Sequence, residues 1–193
     1  MAGDVLAVEK AYVAVATGRA VTRGDNIALR PRALAAIGAV ASRYLAVGTP
    51  RSFGVIADPR TLDAAVSSLA AHRTWFQPSD LRCAGPAGDA LAAAIGGRTV
   101  TLDEALASDI VCIHMPITLT AEKLRRGSHV NVLVPCELAD DLERAAMITH
   151  EHPGLGDLAA GLVDGRQLDE ITVFIVEDAV IAIGALESSA SIR

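Results

Sequence analysis

Ser52-Phe53-Gly54-Val55-Ile56-Ala57-Asp58-Pro59-Arg60 is the stretch of sequence that decides the fold. Its first six residues are small or apolar, a run that is typical of a strand buried on both faces. Asp58 and Pro59 then begin a helix, because aspartate is favoured at the N-cap and proline at the first helical position. A buried strand that leads directly into a helix predicts the first unit of an α/β, Rossmann-like fold.

The same stretch lacks the glycines with which such a fold binds the phosphates of a dinucleotide. In G-x-G-x-x-G, the glycines let the backbone approach the pyrophosphate, which N–H groups at the helix N-terminus then hold. Gly54 lies inside the strand, and the next glycine along the chain is Gly85. At about 4–5 Å and an effective dielectric of about 20, the Asp58 carboxylate would oppose a phosphate charge by roughly 3–4 kcal/mol. The sequence therefore predicts no bound cofactor, unless the phosphate loop lies elsewhere in the chain.

The composition fits one globular domain, alone or with a short appendage. Of the 193 residues, 51% are hydrophobic and only 3% aromatic, so Ala, Val, Leu and Ile build the core, as in helices packed on a parallel sheet. A net charge of -6 and a pI near 5.3 argue against nucleic acid or an anionic membrane as the main partner. The start of the chain lacks the apolar segment of a secretory signal, and the late apolar stretch at 171–186 is interrupted by Glu177 and Asp178. We therefore expect a cytoplasmic protein.

The cysteines and histidines form no pattern of a metal site. Cys83, Cys112 and Cys136 are widely spaced within apolar segments and predict buried, reduced thiols. A cysteine nucleophile stays open as the alternative. His150 and His152 have no partners at metal-ligand spacing, so the sequence predicts no metal site.

Two regions are predicted along the chain. Residues 1–48 form an N-terminal helical appendage, and residues 49–193 form the Rossmann-like domain, in which strands and helices alternate as in a parallel sheet. The second helix of the appendage is apolar almost all round, which predicts a homodimer with the first two helices at or near its interface. The predicted helices are 4–20, 33–45, 59–71, 87–95, one that a capping box opens at Thr101 to Glu104, and 154–162; a polar turn is predicted at 22–31, and strands at 53–57, 81–84, 98–100, 108–114, 129–134, 146–149 and 170–176.

The order of several short segments resembles the ornithine cyclodeaminase/μ-crystallin family over most of the chain. The resemblance implies a Rossmann-like domain beside a substrate domain whose basic residues hold the carboxylate of an amino acid. The segments that carry it are 8–12 with 16–21, 32–46, Thr101-Leu102-Asp103-Glu104-Ala105 with Ser108-Asp109-Ile110-Val111, Arg126-Gly127-Ser128-His129-Val130-Asn131, 158–166, and Glu170-Ile171-Thr172-Val173-Phe174.

The sequence departs from the family's pattern at four functional elements. Between Arg23 and Arg32, where the family has most of its substrate domain, this chain has only a turn. No aspartate occurs between Asn131 and Asp140, so the family's catalytic acid has no counterpart. The phosphate-binding glycines are missing, and Ala84-Gly85-Pro86 stands where the family holds the adenosine ribose or its phosphate. These losses predict a pseudoenzyme with no catalytic residue.

A shortened relative without catalytic residues indicates a binding protein. The chain also resembles the cyclodeaminase-like accessory proteins of ribosomal-peptide biosynthesis, of the crocagin type, which implies a non-catalytic protein that presents a precursor peptide to partner enzymes. Loss of a sheet-rich domain would leave an apolar surface or strand edge for an added peptide strand. The alternative is a small NAD(P)-dependent reductase or imine-forming enzyme completed by a second subunit, and a dimeric scaffold is the third reading.

The candidate ligand contacts lie in two places. Loops after the first and fourth strands face the crevice where a Rossmann-like sheet binds ligands, and they supply Asp58, Arg60, His114 and Met115. For His114, the alternative is a histidine whose hydrogen bonds are satisfied within the protein. Trp75 and Phe76 follow the first helix of the domain and predict either an interface anchor or a plug over the sheet edge.

Overall fold

The structure is a computed structural model that describes residues 26–150 and 169–176. Its helices are α1 (Asn26–Leu45), α2 (Leu62–His72), α3 (Gly88–Ile95), α4 (Leu102–Leu106) and α5 (Asp140–Ala145), with 3-10 turns at Pro59–Thr61 and Ala121–Lys123. Its strands are β1 (Ser52–Ala57), β2 (Asp80–Ala84), β3 (Arg98–Thr99), β4 (Ile110–His114), β5 (Thr118–Leu119), β6 (His129–Val132), β7 (Glu137–Leu138), β8 (Ala146–His150) and β9 (Ile171–Ile175).

Seven of these strands form one parallel sheet in the order β3-β2-β1-β4-β6-β9-β8. The chain builds one half outward from β1 through β2 and β3, then returns to place β4 on the other side of β1. The carboxyl ends of β1 and β4 therefore flank the point at which the strand order reverses, where Ala57 is the register partner of His114. The predicted α/β, Rossmann-like parallel sheet is confirmed.

Helices cover both faces of this sheet, and for that reason β1 and β4 are buried along their whole length. Side chains of a strand alternate between faces. Val55 and Ala57 accordingly pack into the core formed with α1, α2 and α3, whereas Ile56 packs into the core formed with α4 and α5. Full burial of a Val or Ile side chain stabilises a fold by about 1.5–3 kcal/mol, so these short apolar strands contribute substantially to stability.

The local signals in the sequence locate the main elements well. All seven strands of the large sheet lie within two residues of their predicted bounds. The capping box that opens α4 is confirmed, because the Thr101 N–H donates to Glu104 Oε2 at 2.9 Å and the Glu104 N–H donates to Thr101 Oγ1 at 3.3 Å. The separate parallel pair β5–β7 was not predicted, because each of its strands has only two residues and carries no readable period.

Helix α1 is longer than the sequence predicts. It begins at Asn26, within the predicted polar turn, and Pro31 lies in its second turn. Proline lacks an N–H, so this position gives up a single helical hydrogen bond to the Ile27 carbonyl, a local loss in a helix of 20 residues. From 34 to 42 nearly every residue is buried, and the helix packs along α2 and over β6 and β9. The chain itself thus covers this apolar helix, and its composition does not require a second copy.

The described residues test three further predictions only in part or not at all. The helices predicted at 4–20 and 154–162 lie outside the described residues. The division into 1–48 and 49–193 stays a prediction. In the described ranges, no helix combines the length and the apolar character that a membrane crossing needs.

Candidate functional site

The loop after β1 is held by a hydrogen-bonded cap. Asp58 is the N-cap, as predicted, and its Oδ1 accepts from the Arg60 N–H at 2.7 Å and the Thr61 N–H at 3.1 Å. Thr61 Oγ1 in turn accepts from the Asp58 N–H at 3.2 Å. Pro59 contributes no N–H. The N–H groups at the start of the 3-10 turn Pro59–Thr61 therefore already donate hydrogen bonds to a carboxylate of the same loop.

The loops after β1, β2 and β4 are in direct contact with one another. Ala57 O accepts a hydrogen bond from the Ala87 N–H at 3.1 Å. Gly85 adopts a φ of 89°, and a Cβ there would lie 2.5 Å from Ala57 O and 2.9 Å from Met115 Sδ. Only glycine fits this position, for its backbone angle and for the space. The close approach brings the half-buried Met115 to the edge where β1 and β2 end.

A fold of this type implies a dinucleotide whose pyrophosphate lies on the N–H groups after β1. The residues present do not fit that group. Its donors at Arg60 and Thr61 are paired with Asp58, and the space between the β1 and β2 loops is closed at Gly85. We therefore derive no chemical step through a dinucleotide.

His114 ends β4 beneath helix α2 and is fully buried. Its Nε2 lies 2.9 Å from Ser68 Oγ, while its Nδ1 has no hydrogen-bond partner among the described residues. Burial, with a smaller contribution from His72, lowers the pKa of His114 to about 3. The ring is thus neutral at physiological pH, and only one of its two nitrogens has a hydrogen-bond partner among the described residues. The sequence left open a ligand contact or a histidine with both hydrogen bonds satisfied, and this state fits neither fully.

A buried polar network extends from His72 across the face of the sheet. The His72 Nδ1 lies 2.7 Å from Ser68 O, a carbonyl that can only accept, so this nitrogen carries the proton. Nε2 then accepts from the Ser42 hydroxyl at 2.8 Å, and Ser42 Oγ accepts from Asn131 Nδ2 at 2.9 Å. His129 continues the network to Asn131 Oδ1 at 3.1 Å. The network joins α1, α2 and β6, and the sequence analysis missed it.

The remaining candidate contacts lie apart from each other. Arg60 is exposed beside the β1 loop. Trp75 follows the far end of α2, at the edge where the parallel strands begin, and the Arg43 guanidinium lies 5.3 Å from the centre of its ring. Trp75 is 42% exposed, whereas Phe76 is half-buried against the core. Asp58 and Arg60 follow β1, and His114 and Met115 stand at and after the end of the neighbouring strand β4, whereas Trp75 and Phe76 follow the far end of α2.

The cysteines are not arranged for nucleophilic catalysis. Cys83 and Cys112 are buried, as predicted, whereas Cys136 is only half-buried. Burial raises the pKa of the Cys83 thiol to about 11 and raises that of Cys112 as well, so both stay protonated at neutral pH. In the part of the chain that the structure describes, no cluster of acidic, histidine or cysteine side chains has the arrangement of a metal site.

A cleft of about 490 Å³ opens at the opposite edge of the sheet, where β9 begins. Arg126 and Asp169 line it and form an ion pair of 4.0 Å between two exposed side chains. Parallel sheets bind ligands at the carboxyl ends of their strands. The carboxyl ends of β1 and β4, where the strand order reverses and the sequence predicts a crevice, are therefore the stronger candidate site.

Comparison of the structure with solved structures identifies the fold. An archaeal alanine dehydrogenase dimer with bound NAD matches with a TM-score of 0.68 and 21% identity, over 84% of this chain and 63% of that one. Δ(1)-pyrroline-2-carboxylate reductase of Thermococcus litoralis, in complex with NADH and L-proline, matches with 0.62 and 19%, over 86% and 65%. A probable ornithine cyclodeaminase from Bordetella pertussis Tohama I matches with 0.61 and 18%, over 82% and 64%. No family model and no curated protein matches the chain.

These matches confirm, at the level of the fold, the resemblance to the ornithine cyclodeaminase/μ-crystallin family. The chain spans less than two thirds of the length of each of these structures. The sequence-based prediction of a pseudoenzyme is wrong, because the matched structures are a dehydrogenase, a reductase and a probable cyclodeaminase, and the chain has an enzyme fold. The prediction relied on missing motifs, and the loss of a phosphate-binding loop removes one ligand contact without removing every group that can do chemistry.

Proposed function

We propose that this chain is an enzyme that acts on the carbon–nitrogen bond of a small amine or imine, at the crevice between β1 and β4, and that a second subunit completes its site. The observation that carries the proposal is the placement of a carboxylate and a guanidinium after β1, next to a strand that ends in a buried, neutral imidazole. Asp58 and Arg60 follow β1, and His114 ends β4 opposite Ala57.

Two of these groups, Asp58 and Arg60, have capacity for a ligand. Only Oδ1 of Asp58 is used by the cap, and within the described ranges its second carboxylate oxygen has no partner. Arg60 is exposed and makes no ion pair with a described residue. A carboxylate and a guanidinium are the groups that hold the ammonium and carboxylate of an amino acid. The neutral ring of His114 is fully buried beneath α2 and its pKa is far below neutrality, so the proposed binding relies on Asp58 and Arg60 and not on proton exchange by His114.

Imine formation is the half of this chemistry that the chain supports by itself. The neutral amine nitrogen adds to a carbonyl carbon, two protons pass in succession from nitrogen to oxygen, and water leaves as the carbon–nitrogen double bond forms. The reaction consumes neither an oxidant nor a reductant. The names of two matched structures, an alanine dehydrogenase and a pyrroline-carboxylate reductase, support amino and imino acids as the substrate class. None of these matched structures supports the expectation of a protein that presents a precursor peptide without catalysis.

Neutralising Asp58 is expected to lower kcat/KM by about 10- to 100-fold, because a charge-assisted hydrogen bond to an ammonium contributes about 1.5–3 kcal/mol. Asp58→Asn keeps the size and the N-cap but loses the charge. The assay incubates the full chain with an α-keto acid and ammonium or a primary amine, traps the imine by chemical reduction, and measures the product by mass. Asp63→Asn is the matched control, because Asp63 is exposed in the first turn of α2. Equal activity of the two variants would contradict the proposed role of Asp58.

The second subunit is proposed to be a second copy of this chain. The crevice faces the carboxyl edge of the sheet, and each matched structure has more than a third of its length beyond the part that this chain covers. Light scattering is expected to give twice the chain mass of 20.0 kDa. A mass of one chain at high protein concentration would contradict a homodimer and would assign the second subunit to another protein.

A further inference from the structure

We infer that the Asp58 carboxylate occupies the position at which this fold binds a phosphate. It thereby prevents a dinucleotide from binding at the β1–β4 crevice, although the chain keeps the fold of a dinucleotide-binding enzyme. The inference bears on the proposed function without resting on it, since a site that binds no dinucleotide leaves imine formation as the reaction.

The backbone donors that bind phosphate in this fold already have a hydrogen-bond partner in this chain. A pyrophosphate is held by backbone N–H groups at the start of the helix after β1. In this chain those donors are the N–H groups of Arg60 and Thr61, and both already point to one oxygen of Asp58, at 2.7 Å and 3.1 Å. The third donor of such a loop is removed by Pro59. A phosphate would have to displace the Asp58 carboxylate from the hydrogen bonds that it accepts from Arg60 and Thr61.

The negative charge of Asp58 opposes the binding of a phosphate. A phosphate at this loop would lie about 4–5 Å from the Asp58 carboxylate, and at an effective dielectric of about 20 the repulsion corresponds to two to three decades of affinity. Arg60 is the nearby cation, but it is exposed, so water and salt screen its attraction. Asp58 is half-buried and held in place, and its repulsion is screened less.

The space between the β1 and β2 loops is narrow at Gly85. Ala57 O accepts from the Ala87 N–H, and Gly85 lies so close to Ala57 O and to Met115 Sδ that a Cβ would contact both, at 2.5 Å and 2.9 Å. The β1 and β2 loops therefore approach each other closely where the adenosine half would lie next to the pyrophosphate. Space and charge act in the same direction at two adjacent loops.

The experiment measures the dissociation constants of inorganic pyrophosphate and NADH for the full chain and three variants. Asp58→Ser and Asp58→Asn remove the charge and keep an N-cap residue, so the 3-10 turn at Pro59–Thr61 keeps its cap. Asp63→Ser removes one negative charge from the same helix without touching the loop. We expect the wild type and Asp63→Ser to bind both probes weakly, and at least one of the Asp58 variants to bind pyrophosphate about two to three decades more tightly.

Circular dichroism of each variant confirms that it is folded before it is titrated. A wild-type dissociation constant for NADH below about 10 μM, or Asp58 variants that bind pyrophosphate no more tightly than the wild type, would overturn the inference. The outcome is independent of the proposed function. Variants that gain pyrophosphate affinity in a protein with no imine-forming activity would support the inference and contradict the function alone.

Discussion

The free energy of unfolding is expected to fall by about 5 kcal/mol between pH 6.5 and pH 4.5, because two buried histidines cannot accept protons in the folded protein. Burial lowers the pKa of His72 to about 4 and, with a smaller contribution from His72, lowers the pKa of His114 to about 3. In the unfolded chain both rings have the ordinary value of 6.5. Above pH 6.5 neither state binds these protons, and below it the unfolded state binds them first. Stability is therefore greatest above pH 6.5 and is lost as the pH falls toward the folded values.

Urea unfolding at a series of pH values measures this loss, which is comparable to the total stability of many domains. His72→Gln retains a polar side chain at Ser42 and Ser68 but cannot be protonated, so its stability is expected to fall with half the wild-type slope. A stability that stays constant between pH 7 and pH 5 would show that these rings titrate normally in the folded protein.

Gly54→Ala is expected to destabilise the protein by at least about 3 kcal/mol, since overpacking against rigid backbone is among the most damaging core changes. A Cβ on Gly54 of β1 would overlap Ala105 O of helix α4 and would lie 3.0 Å from Ser108 Oγ. The carbonyl belongs to a helix that a capping box holds in place, so it has little freedom to move away.

Gly88→Ala is the matched control for this substitution. Its Cβ would meet the end of a side chain, Thr99 Cγ2, at 3.3 Å, and the residue begins a helix, where alanine is favoured. Thermal unfolding is expected to show a large decrease in midpoint for Gly54→Ala and a change of at most a few degrees for Gly88→Ala. Similar midpoints for the two variants would mean that α4 shifts readily away from β1.

Local patterns in the sequence were sufficient for the fold and for the cap. The buried runs of β1 and β4, the capping box at Thr101 and the N-cap at Asp58 each depend on residues within a few positions of one another. The start of α1 was misplaced because Pro31 suggests a turn, whereas the packing of the following residues on the sheet extends the helix through it.

Contacts between distant residues account for what the sequence could not predict. Ser68 and His114 are 46 positions apart, and Ser42 and Asn131 are 89 apart. No period or spacing connects such pairs, and only the assembled sheet brings them together. The half-satisfied state of His114 follows from this packing. The one signal available was the presence of polar residues at core positions, such as Ser68 and His72 one helical turn apart on α2.

The same limit explains the incorrect prediction that the chain is not an enzyme. Missing glycines at β1 and a missing aspartate after Asn131 are local facts, and they describe which familiar groups are absent. They do not report which groups the fold brings together in their place. The loop after β1 places the Asp58 carboxylate and the Arg60 side chain two residues apart, and the proposed chemistry relies on this placement.

The most direct test of the account is the rate of imine formation by the full chain with and without a nicotinamide dinucleotide. An α-keto acid and a primary amine are incubated with the protein, and the trapped product is quantified by mass, in buffer alone and with NAD or NADH added. The account predicts a rate above that of the protein-free reaction, equal in both conditions and reduced in Asp58→Asn. A product that forms only when dinucleotide is present, or a rate no higher than that without protein, would contradict it.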